Sequence, residues 1–438
     1  MGPKKKAEGG KKGGGADFSD EPGQDPSSLL STYTAFCKRI GLEPHPRVVF
    51  SLTSSENPYL GRQIIVDAGE EGSPPLGAGG CRALATACMG TGAGMPRDPA
   101  TGNTLLYKPL QELRIWGANI GDDGAAALAE LLRLGGADIQ LAYMELLNNN
   151  IGSSGAFAIG RSLSCMMNRS LITLSLDYNM TMKSDGCAAL CRGLRTNSTL
   201  KKLSLRYCDL DSEAGGPLGE VLAFTKSGLN ILDVMGNRLG GVGLLDLCPG
   251  LKRNVALTTL VLADNNVNTQ EEDKEALRRF ADVLLSHPTI ESVDLLYNRI
   301  GEEGRLLLPV VDAATGNKNI SMFRVDASLP TELFEKLNKS AGGKGGKKGK
   351  GKGKKSDRRL KCDVVRRTEM KDGRPAVYEF AYTRDGKSGE RHTGFMAQDL
   401  VEMGGEWAEA VKVDVDEEDG VHFVVDYDAL EEKFGQLW

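Results

Sequence analysis

The chain has 438 residues, 40% hydrophobic, 26% charged and 6% aromatic, with a formal charge of −5, the make-up of a globular protein of roughly two to four domains. No apolar run approaches the ~18–20 residues of a membrane span, and the opening MGPKKKAEGG is not an apolar signal segment, so a cytoplasmic chain with no membrane span is expected. The average charge conceals a split: residues 1–15 hold five Lys against one Glu, residues 342–355 hold seven Lys and no acid, and the remainder carries −16.

Residues 1–27 are Gly, Lys, Pro, Asp and Ser with little apolar content, too little to offset the entropy of ordering, so a disordered tail is expected. Gly2 is followed by Pro3, and Lys6 stands where an acylation signal needs Ser or Thr, which argues against myristoylation. Residues 28–109 read as an N-terminal helix and a degenerate capping region. Leu29, Leu30, Tyr33, Phe36, Cys37 and Ile40 recur at helical spacing after Ser27 and Ser28, predicting a capped amphipathic helix over 29–42. Strand-like Val48–Leu52 and Ile64–Val66 follow, then a Gly/Pro loop and helix-like CRALATACM.

Residues 110–330 repeat themselves. In the frame L-x-x-L-x-L-x-x-N-x-I the fourth position is Leu113, Met144, Leu174, Leu203, Leu232, Leu260, Val293 and Phe323, at spacings of 31, 30, 29, 29, 28, 33 and 30. Two positions later stand Ile115, Leu146, Leu176, Leu205, Val234, Leu262, Leu295 and Val325, the alternation of a strand with one buried face. Period and pattern, with IGDDGAAALAELL after a strand, resemble the ribonuclease-inhibitor-like class of leucine-rich repeats. The resemblance implies an α/β solenoid with a parallel concave sheet and convex helices, whose units bury Leu and Ala only against neighbours. The Asn of the frame is Asn149, Asn179, Asn237, Asn265 and Asn298, with Cys208 as the tolerated substitute and departures at Ala118 and Ser328. An amide there satisfies backbone groups in the turn. Arg114, Trp116, Glu145, Asp177, Arg206, Asp233, Asp294, Arg324 and Asp326 fall on concave positions, and the resemblance implies a protein partner on that face.

Residues 331–355 read as a short helix, TELFEKLNKS, and a Lys/Gly linker whose last 14 residues reach on the order of 20 Å as a coil. Its charge suits an acidic polymer such as a tubulin tail, nucleic acid or anionic lipid, or simply solvation; without aromatics it cannot stack on bases. The N-terminal helix and repeat class also resemble leucine-rich repeat proteins of flagellated protists and algae, which implies a cytoskeletal or ciliary location.

Cofactor chemistry finds no purchase. Gly386-Lys387-Ser388 lacks the upstream Gly of a phosphate loop, the place being Ala381, and GTGAGMP opens no helix. His45, His287, His392 and His422 are scattered, without metal spacing. Nine cysteines without close CxxC pairs exclude a disulfide framework or structural zinc; Cys187 with Cys191 and Cys81 with Cys88 sit at helical spacings that place them in a core.

Residues 356–438 form a compact tail with strand-like AVYEFAYT, a turn at Asp385-Gly386 and a last apolar run, VHFVVDYDAL. SDRRLK at 356–361, GFMAQDL at 394–400 and VDYDAL at 425–430 resemble the peptidase S74 family, the intramolecular chaperone and auto-processing domain of phage tailspikes and some membrane-tethered transcription factors. The resemblance implies a small α+β domain, homotrimer formation, and a single-turnover cut between Lys355 and Ser356, with Ser356 as nucleophile and Lys361 as general base. Lysine acts as a base only when burial or nearby positive charge lowers its pKa, and Arg358 and Arg359 supply such charge. Five residues in a helix or a strand leave Ser356 and Lys361 on different faces, so a turn within SDRRLK has to join them. The alternative is a non-catalytic adaptor whose C-terminal domain serves only oligomerisation or docking.

Overall fold

The computed structural model describes residues 23–55, 57, 59–68, 74–90, 105–326 and 329–338 in full, and the backbone of the strands beyond residue 353. Two compact units divide at Gly342/Gly343.

The first unit opens with helix α1 (Pro26–Arg39), capped by Asp25, whose carboxylate accepts the Ser28 N–H at 2.9 Å. The predicted caps Ser27 and Ser28 instead donate their hydroxyls to that carboxylate, holding its pKa down at about 2. Helix α1 buries Leu29, Tyr33, Phe36 and Cys37. Val48–Leu52, expected as strand-like, lies in helix α2 (Pro46–Thr53). Pro46 pre-sets the first-turn φ and His45 Nδ1 accepts the Arg47 N–H at 3.2 Å. Val48 and Leu52, one turn apart, are buried while Phe50 is 45% exposed, which is a helical rather than an alternating pattern.

Then strands and helices alternate: β1 (Gln63–Asp67), α3 (Gly77–Met89), β2 (Glu112–Trp116), α4 (Gly121–Gly135), β3 (Tyr143–Leu147), α5 (Ser153–Ser162), β4 (Thr173–Ser175), α6 (Lys183–Leu194), β5 (Lys202–Ser204), α7 (Gly215–Leu222), β6 (Ile231–Asp233), α8 (Gly240–Arg253), β7 (Thr259–Val261), α9 (Glu271–Ser286), β8 (Ser292–Asp294), α10 (Leu308–Val311), β9 (Met322–Arg324) and α11 (Thr331–Leu337). The nine strands form one parallel sheet in chain order, β1 through β9. Such order leaves each helix on one side of the sheet, packed against the helices before and after it. The eight sequence frames occupy β2 to β9, and β1, whose repeat lacks the Asn position, adds a ninth strand at one edge.

Backbone groups in the turns after the strands are satisfied by a ladder of buried amides. Asn179 accepts the N–H groups of Asn149 and Ile151 at 2.9 and 3.0 Å and donates to the carbonyls of Leu146 and Leu176 at 2.8 Å. Asn298 repeats this toward Asn265 and Val267. At Cys208 the thiol donates to Leu176 O at 3.2 Å. A second ladder precedes the strands: Asn168, Asn197, Asn254 and Asn317 each donate to a helix-end carbonyl of the preceding repeat, those of Leu132, Leu163, Leu222 and Leu284. His287 holds the equivalent place, its Nδ1 accepting the Ile290 N–H at 3.2 Å.

On the outer side helices meet backbone to backbone. A Cβ on Gly193 of α6 would stand 1.7 Å from the Gly160 carbonyl oxygen of α5, so only glycine permits that spacing.

The second unit, Gly343–Trp438, contains two three-stranded antiparallel sheets. Strands β10 (Lys354–Lys355), β15 (Gly420–Val425) and β14 (Val411–Asp416) form one; β11 (Lys361–Arg366), β12 (Tyr378–Tyr382) and β13 (His392–Gly394) form the other. Lys354 and Lys355, expected at the end of a flexible linker, pair with Val425 and Val424.

Candidate functional site on the concave sheet

In β1, β2 and β3 the central apolar pair of each strand points into the core, and the first, third and fifth residues face outward, giving the pattern half-buried, buried, half-buried, buried, half-buried. In-phase registry stacks the outward residues into ranks. Arg114 opposes Glu145, which opposes Ser175; further along, Ser204 opposes Asp233 and Asp294 opposes Arg324.

At the β2–β3 end the ranks bring together two rings and three charges. The Arg114 guanidinium lies 5.8 Å from the Trp116 ring centroid and 5.1 Å from that of Tyr143. It ion-pairs with Glu112, and with Glu145 at 3.9 Å. Glu145 in turn accepts the Trp116 indole N–H at 3.2 Å and the Tyr143 hydroxyl. Burial, reinforced by the bond to Glu145, raises the Tyr143 hydroxyl pKa well above the ordinary tyrosine value, so it stays a donor. The cluster is pre-organised: each polar tip is held by a neighbour, and the aromatic surfaces stay half-exposed. Trp, Tyr and Arg set in this way are the side chains that carry most of the energy in protein interfaces.

Farther along, the charges neutralise one another. Arg206 donates to Asp233 through Nε at 2.7 Å, and its backbone N–H to Asp177 at 2.9 Å. Burial alone would lower the Arg206 pKa; the bond and charge of Asp233 outweigh it and raise it. Arg324 reaches Asp294 at 3.4 Å. Burial raises the Asp294 pKa, opposed by the Leu296 N–H and by Arg324. Of the concave residues named from sequence, Asp177, Asp233 and Asp294 are therefore buried and committed to internal partners, whereas Arg114, Trp116 and Glu145 are half-buried and gathered in one cluster.

Sequence reasoning passed over Tyr143 and a row of tyrosines just beyond the strands. The residue before the frame Asn takes a left-handed φ in seven successive repeats: Gly117, Asn148, Tyr178, Tyr207, Gly236, Asp264 and Tyr297. The Tyr178 and Tyr207 rings stack at 5.0 Å with planes 10° apart. The available signal was a Tyr directly before Asn179, Cys208 and Asn298.

Ser356 lies outside the described residues. Lys361 opens β11, its backbone opposite Tyr382, and its side chain is not among those described. Ala118 donates its N–H to Asn149 at 3.1 Å, and Ser328 lies outside the described residues. Among those described, no group of three or more His, Cys, Asp and Glu is placed to hold a metal ion, and no helix is long and apolar enough to cross a membrane. Burial raises the pKa of the Cys81 and Cys88 thiols to about 12, the reverse of what a reactive thiolate needs.

The family described as Leucine Rich repeat matches residues 108–129 and 196–219. Human NACHT, LRR and PYD domains-containing protein 12 is 31% identical over 201 residues, 45% of this chain and 18% of that protein. Mouse ribonuclease inhibitor is 30% identical over 179 residues, 39% of this chain and 38% of its own. The protein phosphatase 1 regulatory subunit 37 homolog of Caenorhabditis elegans is 28% identical over 136 residues, 31% of this chain and 14% of its own. The chain thus spans well under two thirds of each. Sheet and matches together define a leucine-rich repeat protein with ribonuclease-inhibitor-like homologues.

Proposed function

We propose that the solenoid is a scaffold that holds a protein partner on its concave sheet, anchored at the Arg114–Trp116–Tyr143–Glu145 cluster. The observation that carries this is a pre-organised set of two aromatic rings and an arginine on a face where Arg206 and Arg324 are paired with Asp233 and Asp294. Two relatives point the same way through their names, one an inhibitor of ribonucleases and one a regulatory subunit of a phosphatase. Capture by the full chain, with and without Trp116→Ala and Tyr143→Ala, tests it: a partner set retained by the native chain and lost by the double variant is expected.

A second reading rests on SDRRLK, GFMAQDL and VDYDAL in the C-terminal 83 residues. In it the unit is an S74-like domain that cuts its own chain once. Lys361 takes the Ser356 hydroxyl proton, Oγ attacks the Lys355 carbonyl carbon, the Ser356 nitrogen leaves with the proton that Lys361 carries, and water hydrolyses the resulting ester to the Lys355 carboxyl group and the Ser356 hydroxyl. Intact-mass analysis should find a fragment beginning at Ser356, absent in Ser356→Ala and Lys361→Ala. A chain that stays whole, as a trimer or a monomer, leaves the unit as a docking or oligomerisation module. The Lys/Gly segments suit an acidic polymer, and cytoplasmic placement, with a cytoskeletal or ciliary variant, fits a scaffold of this kind.

A further inference from the structure

Seven repeats place one residue in the left-handed region at the same point. Gly117, Asn148, Gly236 and Asp264 are residue types that tolerate it. Tyr178, Tyr207 and Tyr297, at φ of 61°, 51° and 60°, are not; in each the Cβ is crowded against the following carbonyl oxygen. The solenoid therefore uses tyrosine three times where its own neighbouring repeats use an unstrained residue. Strain of this kind persists where a side chain serves something other than stability.

The three tyrosines lie along one row. Tyr178 stacks behind Tyr207, and the Tyr207 ring lies across Gly236, where a Cβ would come within 2.2 Å of it. That brings the ring past Gly236 toward Asp264, the next residue in the row, with Tyr297 on its far side. The N–H groups of Tyr207, Gly236 and Asp264 donate to the carbonyls of Met235, Ala263 and Leu296 at 3.0, 3.0 and 2.8 Å, which lays positions 207, 236, 264 and 297 side by side in successive repeats. Tyr178 and Tyr297 are 49% and 51% exposed, and Asp264 is exposed. Arg206, Arg238 and Arg324 are held by Asp233, Asp209 and Asp294 and do not neutralise Asp264.

Aromatic faces beside a carboxylate attract a cation. The same chemistry is already satisfied internally where Arg114 sits between Trp116, Tyr143 and two glutamates. Over the Tyr178, Tyr207 and Tyr297 rings, by contrast, no cation stacks among the described residues, and the nearby Arg206 guanidinium is held by Asp233.

We propose that Tyr207, Asp264 and Tyr297, with Tyr178 stacked behind, form a subsite for an arginine or lysine side chain of a peptide segment in the protein partner. The proposal rests on the concave-face function, and names the chemistry of what the partner presents there.

The test uses the full chain with labelled tyrosine rings, followed by NMR during titration with the peptide acetyl-Gly-Arg-Gly-amide and its neutral isostere containing citrulline. Tyr207 and Tyr297 resonances should move with the arginine peptide and not with the citrulline one. Asp264→Asn should weaken the response about tenfold. Tyr207→Asn and Tyr297→Asn should abolish it while leaving the thermal midpoint equal or higher, since asparagine suits the left-handed backbone. Equal response to citrulline, no response, or an arginine response surviving in Asp264→Asn/Tyr297→Asn would overturn the subsite. If the subsite fails while capture still depends on Trp116 and Tyr143, the scaffold function stands; if capture fails and the arginine response persists, the subsite stands alone.

Discussion

His287 occupies a place that Asn168, Asn197, Asn254 and Asn317 hold in other repeats, and it is the only titratable member of that ladder among the described residues. Its Nδ1 accepts backbone N–H groups, its Nε2 is buried without a partner, and burial lowers its pKa. Because the folded pKa lies below that of the unfolded chain, the unfolded state takes up the proton first. This site's stability is thus fully present above about pH 6.5 and is lost as the pH falls from there through the folded pKa. His287→Asn keeps an acceptor and a donor but cannot titrate. Thermal midpoints measured from pH 7.5 to 5 should fall less for His287→Asn than for the native chain, and parallel curves would show that His287 is not a source of the acid sensitivity. The left-handed tyrosines are a second residue-scale feature, and they were illegible in the sequence because φ is a backbone property. Tyrosine before asparagine does not announce a left-handed turn, whereas Gly117 or Asn148 in the same place would.

At the scale of elements, the repeats were legible because a buried face leaves a period. Leu113 and Ile115, Leu203 and Leu205, Val293 and Leu295 are all fully buried strand pairs, and eight such pairs in phase define the sheet. Helix α2 was misread because Val48, Val49 and Phe50 form a β-branched and aromatic run with strand propensity. Pro46 and the His45 cap decide it for helix, a local signal that outweighs the side-chain preference. The second amide ladder went unnoticed although Asn168, Asn197 and Asn254 each stand six positions before a frame leucine. The helix layer yields its own prediction from glycine placement. Gly193→Ala forces a methyl group into the Gly160 backbone and should destabilise by about 1–3 kcal/mol. Gly216→Ala, in α7, meets nothing within 4 Å and should be neutral or stabilise by up to about 1 kcal/mol through helix propensity. Denaturant midpoints of the two variants check the pair; equal midpoints would contradict the close approach of α5 and α6.

For the whole molecule, the average charge of −5 is less informative than where charges are spent. Much of the concave charge is internally paired, Arg206 with Asp233 and Arg324 with Asp294, so general electrostatic attraction is not what the sheet offers. What remains are two aromatic clusters, one filled by Arg114 and one open at Asp264. That division suits a scaffold with discrete anchor points, at which a partner protein is proposed to bind. The most direct measurement is quantitative capture by the full-length chain, comparing the native protein, Trp116→Ala/Tyr143→Ala, and Phe157→Ala on the exposed face of α5. One or more proteins should be recovered equally with the native chain and Phe157→Ala, and at least tenfold less with the double variant, a loss of about 1.4 kcal/mol or more. Equal recovery by the double variant, or loss with Phe157→Ala alone, would contradict it.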